Sequence, residues 1–292
     1  MKVRFWGTRG SIATPGRATL KFGGNTSCVE VRADEHILVF DAGTGIHNLG
    51  IQLGKEFGSK PITVHVFISH THWDHIQGFP FFMPAYGKQN RIFVYGPPGR
   101  DKSLRQIMRM QMDSDYFPVA LGDMNPSIEI LEVKDPITIG NLSITNFYLN
   151  HPAMSLAYRV SDGKKSVVYA TDNEPYKYTL PSHDDTTQRL GLPEYLDDKL
   201  IEFLSGTDLY IGEAQYTLEE YKGKLGWGHS PIESIVEFSV KAKVKRLALF
   251  HHDPYHDDAF VEGMVRHAQK LLADQKSGVE CFGAREGMEV EL

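Results

Sequence analysis

Four side chains of the kinds that hold metal ions fall within six positions: His70, His72, Asp74 and His75, in the run TVHVFISHTHWDHIQGFPFF at residues 63 to 82. A lone histidine in a polar loop is ordinarily just solvated. Four ligand types in the pattern H-x-H-x-D-H, directly after a β-branched apolar stretch, point instead to metal binding. In a loop leaving a strand, side chains two apart can face the same way. His70 and His72 could therefore grip one ion while Asp74 and His75 grip a second. Imidazole nitrogen and carboxylate oxygen suit a borderline divalent ion such as Zn²⁺, and no nearby cysteine argues for a thiolate or redox site. Two ions need more ligands, and three strand ends offer them: His151 after NFYLN, Asp172 after SVVYAT and His251 after RLALF. Each has a bland reading as well: a surface histidine before Pro152, a turn or cap aspartate, and a polar strand terminus.

The elements that must position these residues can be read from the same chain. Its 292 residues suffice to bury a large core, and without repeats, low-complexity tracts or Pro/Gly/Ser-rich linkers, residues 1–292 are expected to form one domain. The formal charge of −6 gives no global basic field, so a long polyanion would have to meet a local patch. The start MKVRFWGTRGS has no apolar signal core and no stretch approaches a membrane span, so no membrane partner and a cytoplasmic location are expected. Cys28 and Cys281 lie far apart and read as reduced core residues. Alternation in KVRFWG and in SCVEVRADEHILVFDAG, around the turn Ala33-Asp34-Glu35, predicts an opening antiparallel sheet. A helix over 43–57, strands at TVHVFIS and IFVYGPP, and a helix carrying Leu104, Ile107, Met108 and Met112 follow. Further strands are expected at SIEILEVK and around Gly140-Asn141, then a hairpin turning at Asp162-Gly163. The last third alternates: the strand DLYIGEA, a helix from Ser230, the strand RLALFHH, a helix from Asp257 and a strand near Val279. Hairpins first and βα units later predict sheets covered by helices.

With Asp41 in VFDAGTG added, the motifs FWGTRGS, GGNTS, FDAGTG, SHTHWDHIQG, NHP, YATDNE, GEAQY, GHSP and LFHHDP follow one another in an order that resembles the metallo-β-lactamase superfamily almost end to end. The resemblance implies an α/β fold, a four-layer αβ/βα sandwich with metals at one edge between its halves. By position it implies His70, His72 and His151 on a first metal, Asp74, His75 and His251 on a second, and Asp172 between them. His252 competes with His251, which is preferred because it directly follows its strand. Asp41 would orient a ligand histidine through its other nitrogen. Two divalent ions per chain are expected, zinc first, with manganese or iron as alternatives. Such a pair can share a hydroxide whose pKa falls towards about 7, which makes hydrolysis the chemistry, with Asp74 orienting the nucleophile or taking its proton.

The motifs GEAQY and GHSP resemble the phosphodiesterase branch, where a Glu and a His protonate the leaving alkoxide, so Glu213 and His229 are candidate catalytic residues and His229 the general acid. Ser230-Pro231-Ile232-Glu233 reads as a capping box that would hold His229 at a helix start. Within the branch, two families are similar. The tRNA 3′-processing endonucleases usually carry a Gly-rich arm between the third metal histidine and the bridging aspartate. Only 20 residues separate His151 from Asp172 here, and they read as a hairpin. That gap, with the acidic balance, favours the other reading: an enzyme opening a small cyclic nucleotide, with a small nucleotide partner in preference to RNA. A non-catalytic metal-binding sensor is a further alternative. GFPFFMPAYGKQ reads as core or as the contact of a homodimer, the polar segment 172–199 as a lid in part, and Arg9 and Trp227 as further candidates for touching substrate.

Overall fold

The computed structural model describes residues 1–124, 127–179 and 191–292. Two seven-stranded mixed sheets face each other. The first contains β1 (Lys2–Gly7), β2 (Cys28–Ala33), β3 (His36–Phe40), β4 (Thr63–Phe67), β5 (Arg91–Gly96) and β6 (Ile128–Glu132), with the closing strand β14 (Glu289–Glu291) on the free edge of β1. The second runs β13 (Glu280–Gly283), β12 (Arg246–Phe250), β11 (Leu209–Glu213), β10 (Ser166–Ala170), β9 (Ser155–Ser161), β8 (Leu142–Leu149), β7 (Ile137–Ile139).

The central strands are rich in apolar residues on both faces because both faces are covered. In β3, Leu38 and Phe40 enter the core between the sheets, whereas Ile37 and Val39 face outward onto α1 (Gly45–Phe57) and the turns around Phe79 and Phe82. In β10, Val167 and Tyr169 point inward while Val168 and Ala170 meet the outer helix layer. That layer is built from α5 (Leu192–Leu204), α7 (Ile232–Lys241) and α8 (Asp258–Asp274), through Leu200, Leu204, Ile235, Phe238, Met264 and Ala268. The remaining helices are α2 (Trp73–Ile76), α3 (Leu104–Met110), α4 (Tyr176–Thr179) and α6 (Leu218–Tyr221). Helix, sheet, sheet, helix makes four layers, the expected sandwich.

Strand direction gathers the site. β3 and β4 are parallel neighbours, as are β10, β11 and β12, so residues after their C-terminal ends lie together along one edge. β8 joins them because two antiparallel steps, through β9, restore the direction of β10.

Three local expectations differ from the structure. Helix α7 takes Pro231 as its N-cap with no side-chain cap, because the Ser230 hydroxyl donates to Asn173 O and Glu233 pairs with His267 at 2.9 Å, so there is no capping box. The segment 172–199 is not a continuous polar loop. Residues 172–175 are buried, and from Leu192 the chain is helix α5, whose Asp197 carboxylate accepts from Tyr176 N at 2.8 Å and Lys177 N at 3.2 Å. Residues 180–190 of the expected lid lie outside the described residues. Third, Arg9 is fully buried, with Nε on Gly23 O (2.8 Å) and a terminal nitrogen on Asp253 O (3.0 Å) and His256 O (2.6 Å). It staples loops behind the site and has no face for substrate. Among the described residues no helix is long and apolar enough to cross a membrane.

Candidate metal centre and active site

The residues at the strand ends are aimed by unusual backbone. Asp41 (φ 60°) and His251 (φ 58°), directly after β3 and β12, and Asp172 (φ 58°), two residues past the end of β10, each take the left-handed conformation. That conformation costs a non-glycine residue about 1 kcal/mol or more, and such strain concentrates where a side chain must be aimed. A left-handed step turns the side chain out of the strand's alternation and into the edge cleft.

Two groups converge there. His70, His72, His151 and Asp172 each offer one ligand atom, all within 4.8 Å of one another, and so do Asp74, His75 and His251. Asp172 joins the two. Its Oδ2 lies 3.5 Å from Nε2 of both His70 and His75 and 3.9 Å from Nε2 of His151, while Oδ1 is 3.2 Å from Nε2 of His251. His72 faces this cluster through Nδ1, 3.0 Å from His70 Nε2 and 3.2 Å from His151 Nε2. His252, the competitor, points elsewhere: its Nε2 donates to Ala284 O at 3.0 Å and its ring lies edge-on to Phe22.

The other nitrogen of several rings is fixed, which sets tautomer and orientation. His75 Nδ1 donates to Asp41 Oδ2 at 2.7 Å, and Asp41 is itself held by Ser69 N, Ser69 Oγ and Tyr169 Oη. His151 Nδ1 donates to Gly228 O (2.9 Å) and His251 Nδ1 to Gln215 Oε1 (3.0 Å). Gly10 and Gly228 are glycines for a steric reason: a Cβ would lie 2.4 Å from the His251 ring in one case and 2.2 Å from His151 Nδ1 in the other.

The electrostatics match cation binding. Burial pushes the His70 pKa well below the ordinary imidazole value, lowers that of His72, and pushes that of His151 down to about 4. Burial works against ionising Asp74 and Asp172, but the facing imidazoles, His75 for Asp74 and His251 for Asp172 above all, hold both well below the usual carboxylate range. Neutral imidazoles and ionised carboxylates are the states a metal requires. His75 is the exception: burial opposes its protonation, yet Asp74, Asp172 and Asp41 outweigh burial and raise its pKa. Its Nε2 is buried without a hydrogen-bond partner, although Asp74 Oδ2 is only 3.1 Å away. A cation among these groups gives that nitrogen a partner and supplies the positive charge, so the residues fit a divalent ion.

Beside the cluster, His229 Nδ1 lies 3.2 Å from Glu213 Oε2 and 4.0 Å from Asp172 Oδ2. Burial works against charge on His229, but Glu213 and then Asp172 outweigh it and push its pKa up to about 9. Burial also raises Glu213, whose Oε1 nevertheless accepts from Ser230 N, a bond that favours the carboxylate, so the shared proton rests on His229. His229 lines a cavity of about 460 Å³ together with Ser11, Thr71, His72, Trp73, Asp74 and Asp172.

One residue the motif search passed over organises this corner. Glu174 accepts from Tyr221 Oη at 2.6 Å, Gly226 N at 2.8 Å and Gly228 N at 2.7 Å. It pins the loop whose Gly228 carbonyl orients His151 and whose next residue is His229. Its acidic type, two positions after Asp172, was the available signal. Gln215 and Ser69 escaped in the same way, since their partners are remote in sequence or ambiguous among several histidines. Glu174→Ala leaves the buried donors Tyr221 Oη and Gly228 N unpaired, at a cost of about 1–3 kcal/mol each. A fall in Tm of about 5 °C is expected in thermal melts, and an unchanged Tm would show that the loop is held by other contacts. Trp227, on that loop, is 55% exposed with Lys224 Nζ 4.1 Å from its ring centroid.

Residues 36–252 match the family described as the Beta-lactamase superfamily domain. The chain belongs to this family, in its phosphodiesterase branch, and is a metal-dependent hydrolase. It is similar to Ribonuclease Z of Picrophilus torridus, 22% identical over 94% of this chain and 92% of that one, and to Ribonuclease Z of Natronomonas pharaonis, 27% identical over 86% of each. Among solved structures it resembles the short form of human tRNase Z, with TM-score 0.63 and 18% identity over 100% of this chain and 99% of the other. These relatives overturn the expectation of a small nucleotide partner in preference to RNA, because proteins aligned over nearly the whole chain are ribonucleases. The net charge misled because it averages over the surface, whereas a polyanion senses only the field where it lies. The tight β9–β10 hairpin does leave no room for an arm between His151 and Asp172, but the cluster of candidate ligands is assembled without one.

Proposed function

We propose that this protein is a dinuclear, zinc-dependent endoribonuclease of the tRNA 3′-processing kind. His70, His72 and His151 would hold one ion and Asp74, His75 and His251 the other, with Asp172 placed between the two groups. Divalent ions held there would supply a water of lowered pKa and offset charge on the phosphoryl oxygens. The chain's own residues do the rest. Asp74, whose Oδ2 also accepts from Ser11 N at 2.7 Å, is placed to orient the attacking group. His229, held through Nδ1 by Glu213 and lining the cavity, donates a proton to the leaving ribose oxygen. The observation that carries the reading is this Glu213–His229 pair beside Asp172: proton donation to a poor leaving group is what an RNA diester needs. The alignment with ribonucleases along the chain supports RNA as the substrate class.

The test is a panel of pre-tRNA, cyclic mononucleotides and cyclic dinucleotides with added Zn²⁺ or Mn²⁺. Cleavage of the pre-tRNA on the 3′ side is expected. Turnover of cyclic nucleotides with intact pre-tRNA would overturn the assignment.

A further inference from the structure

Trp73 stands between His72 and Asp74, at the first position of α2, and is 80% exposed. Nothing in the fold accounts for an indole there. A four-residue helix between metal-site residues gains nothing from tryptophan, the ring packs into none of the three apolar cores, and among the described residues it makes no aromatic or cation contact. Phe81 and Trp227, also exposed, are each covered on one side, Phe81 lying edge-on to Phe117 with centroids 5.2 Å apart and Trp227 under Lys224, whereas the comparably exposed Tyr116 and Tyr255 border no part of this cavity. Trp73 instead borders the cavity of about 460 Å³ that opens onto the candidate metal cluster. Every other residue bordering that cavity, Ser11, Thr71, His72, Asp74, Asp172 and His229, is polar and suited to phosphate chemistry. Among the described residues, the indole is the one broad apolar face bordering it.

We propose that Trp73 is a stacking platform for the nucleobase adjoining the scissile phosphate, a substrate-positioning and specificity-determining residue. The inference rests on the ribonuclease reading and deepens it. Stacking on an aromatic face tolerates any base because every base has a π-face, and removing such a platform typically weakens binding by about 5- to 100-fold. The subsite therefore selects for the presence of a base next to the cleaved bond and not for its identity.

The test uses zinc-loaded wild type, Trp73→Ala and Trp73→Phe, with zinc content measured for each because the position adjoins His72 and Asp74. Substrates are oligoribonucleotides carrying either a base or an abasic residue beside the scissile phosphate. In the wild type, removing the base is expected to raise KM about tenfold. In Trp73→Ala, KM with the base present is already raised about tenfold, and removing the base adds nothing. Trp73→Phe restores most of the difference. Independently of turnover, a cleavage-resistant oligoribonucleotide should quench more tryptophan fluorescence in the wild type than in Trp73→Phe. An equal abasic penalty in wild type and Trp73→Ala overturns the proposal. So does a Trp73 signal that follows protein concentration and not RNA, which would place the indole against a second copy of the chain. A wild type that cleaves no oligoribonucleotide removes the ribonuclease reading, and this subsite with it.

Discussion

Replacing His229 with alanine is expected to slow cleavage of an RNA phosphodiester by about 10²–10⁴-fold while leaving hydrolysis of bis-p-nitrophenyl phosphate nearly unaffected. The difference follows from the leaving group. A ribose alkoxide is too basic to depart without a proton, and the side chain at this corner arranged to give one is His229, whose Nδ1 is tied to Glu213 at 3.2 Å. p-Nitrophenolate leaves unaided, so its release does not register the loss. Glu213 sits at the end of β11, fully buried, and also receives Ser230 N, so it fixes both the ring and the loop that carries it. Glu213→Gln should therefore show the same substrate dependence with a smaller amplitude. Equal losses on the two substrates in His229→Ala would sink the acid role and leave His229 as a structural residue or a ligand.

Asp172→Ala is expected to have the broadest effect: turnover at background and a fall from two bound ions per chain. Asp172 presents its carboxylate to members of both groups, with Oδ2 3.5 Å from His70 and from His75 and Oδ1 3.2 Å from His251. Losing a residue that merely supports a ligand typically costs about 10–100-fold in metal affinity, and a shared ligand should cost more. Metal analysis after gel filtration, together with melting curves with and without chelator, reads the result. The chelator-induced drop in Tm seen in the wild type should shrink in the variant, because less metal remains to stabilise the native state. A variant that keeps two ions per chain and normal turnover would contradict the bridging assignment.

Much of this was legible in the linear chain because it depends on neighbours in sequence. Alternation in β2 and β3, the turn at residues 33–35 and the helix after Asp257, where the aspartate side chain accepts from Phe260 N at 2.8 Å, are local matters of pattern and capping. The cluster His70, His72, Asp74, His75 is equally local, since one loop supplies all four side chains. That His151, Asp172 and His251 each follow a strand was also readable, and in a sheet of like-directed strands such ends must share an edge.

Other features rest on contacts between residues far apart in the chain. His251 and His252 are equivalent as letters. The left-handed backbone at His251 sends its ring towards Asp74 and Asp172 and delivers its neighbour to Phe22 and Ala284. Ser230 looks like a cap until Asn173, distant in sequence, takes its hydroxyl. Arg9 resembles a substrate contact until three carbonyls from two remote loops surround it. Trp73 and Glu174 lie within or beside the motifs, yet their roles do not show there: one is defined by its exposure, the other by donors about fifty residues away. Residue types and their spacing along the chain specify which chemistry is present and the ends of the elements that carry it. Where each side chain points, and whether it serves the reaction or the scaffold, depends on partners that the chain brings together only by folding.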